Sequence, residues 1–369
     1  MKYLLQVFSR RWLLRTAAVV CLVAVCLCLG GARRALGDRP DQQAAARWSG
    51  DGTPFAQVSL YLPSSQALTL NSLREARTKL DKALTEASLA PASESARLWL
   101  DAAGAELTAT AATDRGSVSV TALAVNGDYF QFHPLQLLSG CTFSEADELH
   151  DTLVLDELAA WQLFGASDVV GRTVTVNGKL YTVCGVAAMP TDDAAVLTYG
   201  SAPRIWLFYD QLFGAEDAGL TFYEAVLPNP YTGYAKKLLE DTFSTNTLDC
   251  ASVENSTRFG LSSLWRTLRG LPRAAMRSSQ AAYPWWENAA VYCQTRAALL
   301  FGGQLLCMVY PLIVLVCLAV WCWKHRRWHI SDLKAVLERR HQRRLQAAWN
   351  AAAHPDALDG LEAELEKQE

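Results

Sequence analysis

The residues able to do chemistry in this 369-residue chain are a few histidines, cysteines and carboxylates, and their spacing decides how far they can be taken. His133 and His150 are the two histidines of the middle of the chain. A zinc site needs three or four converging ligands, and His133, directly before Pro134, reads as a turn residue. Glu145, Asp147, Glu148 and Asp151 form an acidic run of the kind that does acid–base work or binds calcium. It lacks the glycine and the twelve-residue frame of a calcium loop, so it reads as a solvated segment favouring the start of a helix. Cys141, Cys184, Cys250 and Cys293 allow three pairings in an oxidising compartment, and their wide spread leaves their redox state open. The one Gly-Lys pair, Gly178-Lys179, is followed by Leu180 rather than Ser or Thr, so it is no phosphate loop. Neither G-x-S-x-G nor H-E-x-x-H occurs. The sequence thus predicts no catalytic residue, no cofactor site and no metal site.

The hydrophobic share of 51% is concentrated near both ends, and the net charge of −3 offers no basic surface for nucleic acid. Residues 12–32 are apolar behind Arg10 and Arg11. They suit either a removable signal peptide cut near Gly30-Gly31-Ala32, or a retained anchor in which Arg15 snorkels. Residues 297–323 hold no charged side chain and are long enough to span a bilayer. Within them Pro311 predicts a kink and Gln304 a polar contact with another helix. Lys324, Arg326 and Arg327 follow at once, so the positive-inside rule places the carboxyl end in the cytoplasm. Tyr283, Trp285 and Trp286 precede the span, either as an interfacial aromatic belt or as a contact surface for a partner subunit or lipid-like substrate. Ile330–Ala348 reads as a basic amphipathic helix, lying on anionic lipid or docking an ATPase. The division is a cytoplasmic amino terminus (1–11), a first membrane helix (12–32), an outside domain (37–296), a second membrane helix (297–323) and a cytoplasmic tail (324–369).

Within the outside domain, Ala35–Pro54 reads as an irregular lead-in. Phe55–Leu62 is a strand and Leu70–Leu89 an amphipathic helix capped by Asn71 or Ser72. Ser93–Leu100 reads as a short helix and Ala105–Ala112 as a weak strand. Val118–Val125 alternates as a strand closed by Asn126-Gly127-Asp128, and Leu153–Phe164 reads as a short helix ahead of Gly165. Arg172–Val176 and Leu180–Val186 flank Asn177-Gly178, a two-residue turn that tolerates positive φ. Pro203–Tyr209 is a strand with Trp206 and Phe208 on alternate sides, Thr221–Leu227 another, and Tyr231–Phe243 a helix. Leu261, Leu264, Trp265 and Leu268 have helical spacing. The strand-to-helix order of Phe55–Leu89 recurs at Thr221–Phe243. The expected fold class is therefore α+β: a mixed sheet with packed helices, βαβ-type halves and an inserted β-rich subdomain, flanked by two transmembrane helices.

The central stretch, Val118–Pro190, resembles the extracytoplasmic core domain of the MacB-like family of ABC transporter permeases. Gly127-Asp128-Tyr129-Phe130, Leu137-Leu138-Ser139-Gly140, Ala159–Gly165, Asp168–Gly171 and Val183-Cys184-Gly185-Val186 carry the resemblance in that order. Gly127, Gly140, Gly165, Gly171 and Gly185 are then backbone positions, Asp128 a turn residue, and Phe130, Leu163 and Phe164 core. The resemblance implies a retained first helix, both termini in the cytoplasm and a domain moved by a separate ABC ATPase. A further permease subunit, membrane lipid and a second copy of the chain are the other partners expected; neither an ATPase domain nor a last pair of FtsX-like membrane helices is recognised in this sequence. The role expected is a membrane-anchored, non-enzymatic component of an ABC-type export or mechanotransmission system. Two alternatives stand beside it: a membrane-anchored sensor or scaffold without transport, and an extracytoplasmic enzyme, which needs a pocket of converging polar groups.

Overall fold

A computed structural model of the chain describes residues 2–49, 54–63, 65, 68–91, 93, 96–213, 219–245, 250–274, 283–325, 338–346 and 349. In chain order come α1 (Lys2–Gly37), α2 (Ala44–Trp48), β1 (Phe55–Tyr61), α3 (Leu70–Glu86), β2 (Leu100–Thr113) and β3 (Gly116–Gly127). Then follow α4 (Tyr129–Phe132), β4 (Leu137–Gly140), β5 (Thr152–Asp156), α5 (Glu157–Phe164), β6 (Thr173–Val176), β7 (Lys179–Ala187) and α6 (Asp193–Tyr199). Last are β8 (Arg204–Phe208), α7 (Tyr209–Phe213), β9 (Phe222–Pro228), α8 (Tyr234–Thr242), β10 (Ala251–Glu254), α9 (Leu261–Ala274) and α10 (Trp285–His325). These residues form two units, Ala24–Leu305 and the pair Met1–Val23 with Leu306–Glu369.

The larger unit is built on one ten-stranded mixed sheet. β1-α3-β2 and β9-α8-β10 are two split βαβ units that interlock: β9 lies between β1 and β2, and β1 between β9 and β10, all antiparallel to their neighbours. The recurrent strand-to-helix halves read from the sequence are therefore present. Period-two alternation sorts their side chains. Val58, Leu60, Tyr223, Ala225 and Leu227 face α3 and α8, whose Leu73, Leu80, Leu84, Ala235 and Leu239 complete that core. Each such leucine, fully buried, contributes about 1.5–3 kcal/mol relative to exposure. Helix α3 starts where Thr69 Oγ1 accepts from the Ser72 N–H (3.1 Å) and Ser72 Oγ accepts from the Thr69 N–H (2.9 Å). Thr69 is thus the cap, with Ser72 as its reciprocal partner rather than the cap itself.

Between the halves lies the β-rich insertion. β6 pairs with both β2 and β7, which closes a ring of six strands, β2-β3-β8-β5-β7-β6. Alternate residues of the ring, among them Val120, Leu153, Leu155, Val174, Val183, Ile205 and Leu207, fill its inside together with Ala159 and Leu163 of α5. Asp156, fully buried, ends β5 and starts α5: its carboxylate accepts from the Ala159 N–H (2.6 Å), the Arg204 N–H (2.8 Å) and the Tyr199 hydroxyl (3.1 Å). The β6–β7 turn has the positive φ values its Asn-Gly predicts, 48° at Asn177 and 85° at Gly178.

Several sequence expectations need correcting. Leu153–Phe164 is not one helix, because Leu153 and Leu155 are inward-facing strand residues. Leu100 opens β2, and the described residues of 93–99 form no helix, so the Ser93–Leu100 helix is absent there. Trp206 and Phe208, two apart, share one face and one apolar cluster instead of alternating. Over residues 35–49 the segment read as an irregular lead-in (Ala35–Pro54) is ordered: a 3-10 turn at Pro40–Gln42 and α2 follow α1, and Arg39, Gln42, Ala44 and Ala45 are buried; residues 50–53 lie outside the described residues.

Helices α1 and α10 are long and apolar enough to cross a membrane over Trp12–Gly37 and Trp285–Lys324. The boundaries read at 32 and 297 fall inside continuous helices. In the larger unit the two helices touch, the Gln304 amide donating to the Cys26 carbonyl at 3.1 Å. In the smaller unit α10 continues through Pro311, and residues 338–346 are helical and exposed. The rest of the amphipathic tail read over Ile330–Ala348 lies outside the described residues.

The β4–β7 crossing yields a stability prediction. Gly140 has φ 75°, and a Cβ there would lie 2.1 Å from the Cys184 carbonyl oxygen, whereas Gly171 has φ 81° with open space around it. Gly171→Ala should cost about 1–3 kcal/mol from backbone conformation alone, and Gly140→Ala clearly more. Thermal melts of the detergent-solubilised chain check the order.

Candidate functional site at the helix–domain joint

The face of β1 and β9 opposite α3 and α8 carries Gln57, Ser59, Tyr61 and Glu224, all completely buried. Glu224 stands opposite Ser59 on β1 and Ala102 on β2, in the middle of the sheet. An ionised carboxylate survives there only with charge and hydrogen-bond partners. Its Oε1 accepts from the Tyr61 hydroxyl (3.2 Å) and the Trp286 indole N–H (3.3 Å), and its Oε2 lies 3.0 Å from His133 Nε2. The other ring nitrogen of His133 is 3.3 Å from Asp41. With a carboxylate on each nitrogen, the ring is held as an imidazolium. Burial alone lowers its pKa, but Glu224 and Asp41 outweigh that and raise it from 6.5 to about 9.

A second ion pair adjoins the first. Glu287, in the first turn of α10, pairs with Arg258, and Arg258 also donates to Gln42 Oε1 at 2.9 Å. Tyr61 lies 3.1 Å from Glu287 as well, so its hydroxyl sits between two carboxylates. Burial first, then Glu287 and Glu224, hold its pKa well above the ordinary value of 10, and it stays a donor. On the outer side Arg39 Nη1 reaches Asp192 (3.3 Å) and its Nη2 lies 3.6 Å from Asp41. Three buried or nearly buried carboxylates, Asp41, Glu224 and Glu287, and the half-exposed Asp192 therefore meet three cations, Arg39, His133 and Arg258. These groups come from the segment just after α1, the start of α10, β1, β9, the end of α4 and the approach to α9.

Sequence reasoning missed this joint. His133 is a buried ion-pair partner as well as a turn residue. Trp286 is not a belt residue or a free contact surface: it is fully buried against Glu224 and Tyr129, because α10 begins twelve residues before the charge-free stretch and enters the domain core. Trp285 packs on Tyr199 (centroids 5.1 Å apart) and Tyr283 on Tyr61 (5.4 Å). The available signal was Glu224, a lone charge in the apolar strand Phe222–Pro228.

The motif residues lie elsewhere. A Cβ on Gly127 would sit 2.5 Å from the Asp101 carbonyl, and Asp128 pairs with Arg97 (2.7 Å). Phe130 packs on Phe143, Leu163 is in the ring core, Phe164 packs beside it, and Gly165 ends α5 at φ 71°. Gly171 donates to the Val183 carbonyl, and Gly185 faces the Cys141 carbonyl, 2.3 Å from where a Cβ would stand. Arg77, Asn126, Glu145, His150 and Asp210 line a cavity of about 200 Å³ beside Gly127 and Phe130. Its polar groups already have partners: Arg77 pairs with Asp101 behind the lining (2.6 Å) and lies 3.8 Å from Glu145, and His150 Nδ1 lies 2.7 Å from Asp210. Among the described residues no group of three or more His, Cys, Asp or Glu could hold a metal ion, and all ten cysteines are free thiols.

The sequence model of the MacB-like periplasmic core domain matches residues 18–222, more than half of the chain. The chain belongs to the MacB-like periplasmic core domain family. No curated protein matches it. Among solved structures, the periplasmic region of MacB from Actinobacillus actinomycetemcomitans is similar at 13% identity, covering 55% of this chain and 89% of that one, with a TM-score of 0.39. The extracellular domain of the noncanonic ABC-type transporter YknZ from Gram-positive bacteria is similar at 16% identity, covering 53% and 99%, with a TM-score of 0.36. The match of the MacB-like family runs from α1 to the first residue of β9, so it holds Asp41, Tyr61 and His133 but stops short of Glu224, Arg258 and Glu287.

His133 gives the joint a pH signature. Its pKa is higher folded than unfolded, so the stability it contributes is complete below about pH 6.5 and lost as pH rises through about 9. The wild-type chain should lose up to roughly 3 kcal/mol across that window, and His133→Gln should lack that slope. Melting temperatures from pH 6 to 9.5 test this.

Proposed function

We propose that the chain is the membrane-anchored, non-enzymatic component of an ABC-type export or mechanotransmission system, its extracytoplasmic domain moved by a separate ATPase. The observation that carries this reading is the joint. A flexible tether would need no buried ion pairs; here Glu287 and Trp286 of α10 bond Tyr61 and Glu224 of the sheet, and Asp41 after α1 reaches Glu224 through His133. Removing one partner of a buried pair costs about 3–5 kcal/mol, so displacement of α10 moves the sheet before it breaks the joint. Membership of the MacB-like family adds the class of motor. In this reading both termini are cytoplasmic, a further permease subunit joins the ATPase, and the outer domain contacts substrate or partner.

The test uses the full chain from gently solubilised native membranes. An ABC ATPase or permease chain should copurify, and replacing ADP by a non-hydrolysable ATP analogue should change hydrogen exchange at residues 39–42 and 222–228. Arg258→Met should keep the partner and lose that change. Recovery without any ATPase or permease chain would sink the proposal in favour of a sensor or scaffold.

A further inference from the structure

Helix α9 runs beside α10 just before the domain ends. Leu264, fully buried, packs on Ala297 and Ala298, and Leu268 approaches Gly302, where a Cβ would stand 3.3 Å from its Cδ1. Thr267 Oγ1 accepts from the Gln294 amide at 2.9 Å. Residues 297–323 are the stretch without charged side chains, so α9 is level with the first turns of the part of α10 that suits hydrocarbon. At 100° per residue its apolar arc runs through Leu264, Leu268, Leu261 and Trp265. Helix α10 covers only part of that arc: Leu261 remains 57% exposed and Trp265 41%. Further round the helix past Trp265 come Arg269, Ser262 and Arg266, all exposed, and the Arg269 guanidinium lies 4.9 Å over the Trp265 ring. Among the described residues neither arginine pairs with a carboxylate.

We propose that α9 is an interfacial helix of the outer leaflet, with Leu261 and Trp265 in the acyl boundary and Arg266 and Arg269 holding the phosphate of anionic lipids. Lipid is the occupant because the face is at the depth of the span itself. An apolar edge bordered by guanidiniums suits the boundary between acyl chain and headgroup, where Trp rings and snorkelling arginines are both accommodated. The contact also gives the domain a second reference in the membrane beside α10, a few residues after Arg258 of the Arg258–Glu287 pair.

The full-length chain is placed in nanodiscs of phosphatidylcholine with or without phosphatidylglycerol. With acyl chains brominated near the headgroup, Trp265 should be quenched, so Trp265→Phe should remove a defined part of the total quenching. Lipid retention read by native mass spectrometry should favour phosphatidylglycerol, and Arg266→Gln/Arg269→Gln should weaken that retention roughly thirtyfold at about one headgroup contact per arginine. The matching Arg→Lys pair should keep most of it, which separates charge from folding. The proposal is overturned if Trp265→Phe leaves the quenching unchanged. It is equally overturned if the Gln pair retains phosphatidylglycerol as the wild type does, or if the Trp265 signal follows chain concentration rather than lipid, which would assign the face to a second copy.

Discussion

Glu224 has no route to water, and that constraint organises the joint around it. A carboxylate buried in the centre of a sheet must be neutralised, or it titrates or unfolds its surroundings. The neutralising proton sits on His133, whose far nitrogen then requires Asp41, and Asp41 lies within reach of Arg39 just beyond α1. The tyrosine that donates to Glu224 is also in reach of Glu287, which draws in Arg258 and through it Gln42. Each charge fixes the position of the next. The chain leaving α1 and the chain entering α10 are consequently held by the same few atoms.

Such a joint differs from apolar packing in how it fails. Apolar contacts slide with small changes in energy, whereas buried ion pairs are directional and lose most of their stabilisation when one partner leaves. The helices beneath it are in contact: a Cβ at Gly30 would stand 2.8 Å from the Gln304 amide nitrogen that donates to the Cys26 carbonyl, and Leu29 lies 3.4 Å from where a Cβ on Gly303 would stand. Close packing of this kind makes the Ala24–Gly37 and Trp285–Leu305 portions move together. In the proposed function, rigidity at this level is the useful property.

Local chemistry was legible in the sequence; long-range burial was not. The Asn177-Gly178 turn, the glycine ending α5 and the strands β3, β6 and β7 each depend on a few neighbouring residues, and each was read correctly. The α3 cap was misplaced by two or three residues because Thr69, Asn71 and Ser72 are all cap formers. Leu153–Phe164 satisfied helical spacing and strand alternation together, and only Asp156, a cap residue in the middle of the run, marks where one becomes the other. The small, polar segment after α1 looked irregular because its order comes from distant partners, Arg258 on Gln42 and Gln57 on the Ala44 N–H. The joint itself draws on positions 41, 61, 133, 224, 258 and 287, too far apart for any spacing rule. Trp286 misled for a related reason: an aromatic before a membrane span suits an interface equally well until the helix is known to start earlier.

The motif that carried the family resemblance acquires a mechanical meaning from what it connects. Gly127, at φ 78°, turns the chain from β3 into α4. That turn sets Tyr129 against Trp286 (ring centroids 5.8 Å apart) and the adjacent Phe130 against Phe143 (4.9 Å). Phe143 packs on Phe208 (4.2 Å), and Phe208 stacks on His150 (4.0 Å), one wall of the cavity that Arg77 and Glu145 also line. A continuous row of rings thus joins the first turn of α10 to the cleft between the βαβ halves and the strand ring. Close-packed aromatics transmit displacement because they cannot compress. In the proposed function a shift of Trp286 therefore arrives at the cleft with few soft contacts between. The glycine matters less for its own freedom than for aiming two consecutive rings in two directions.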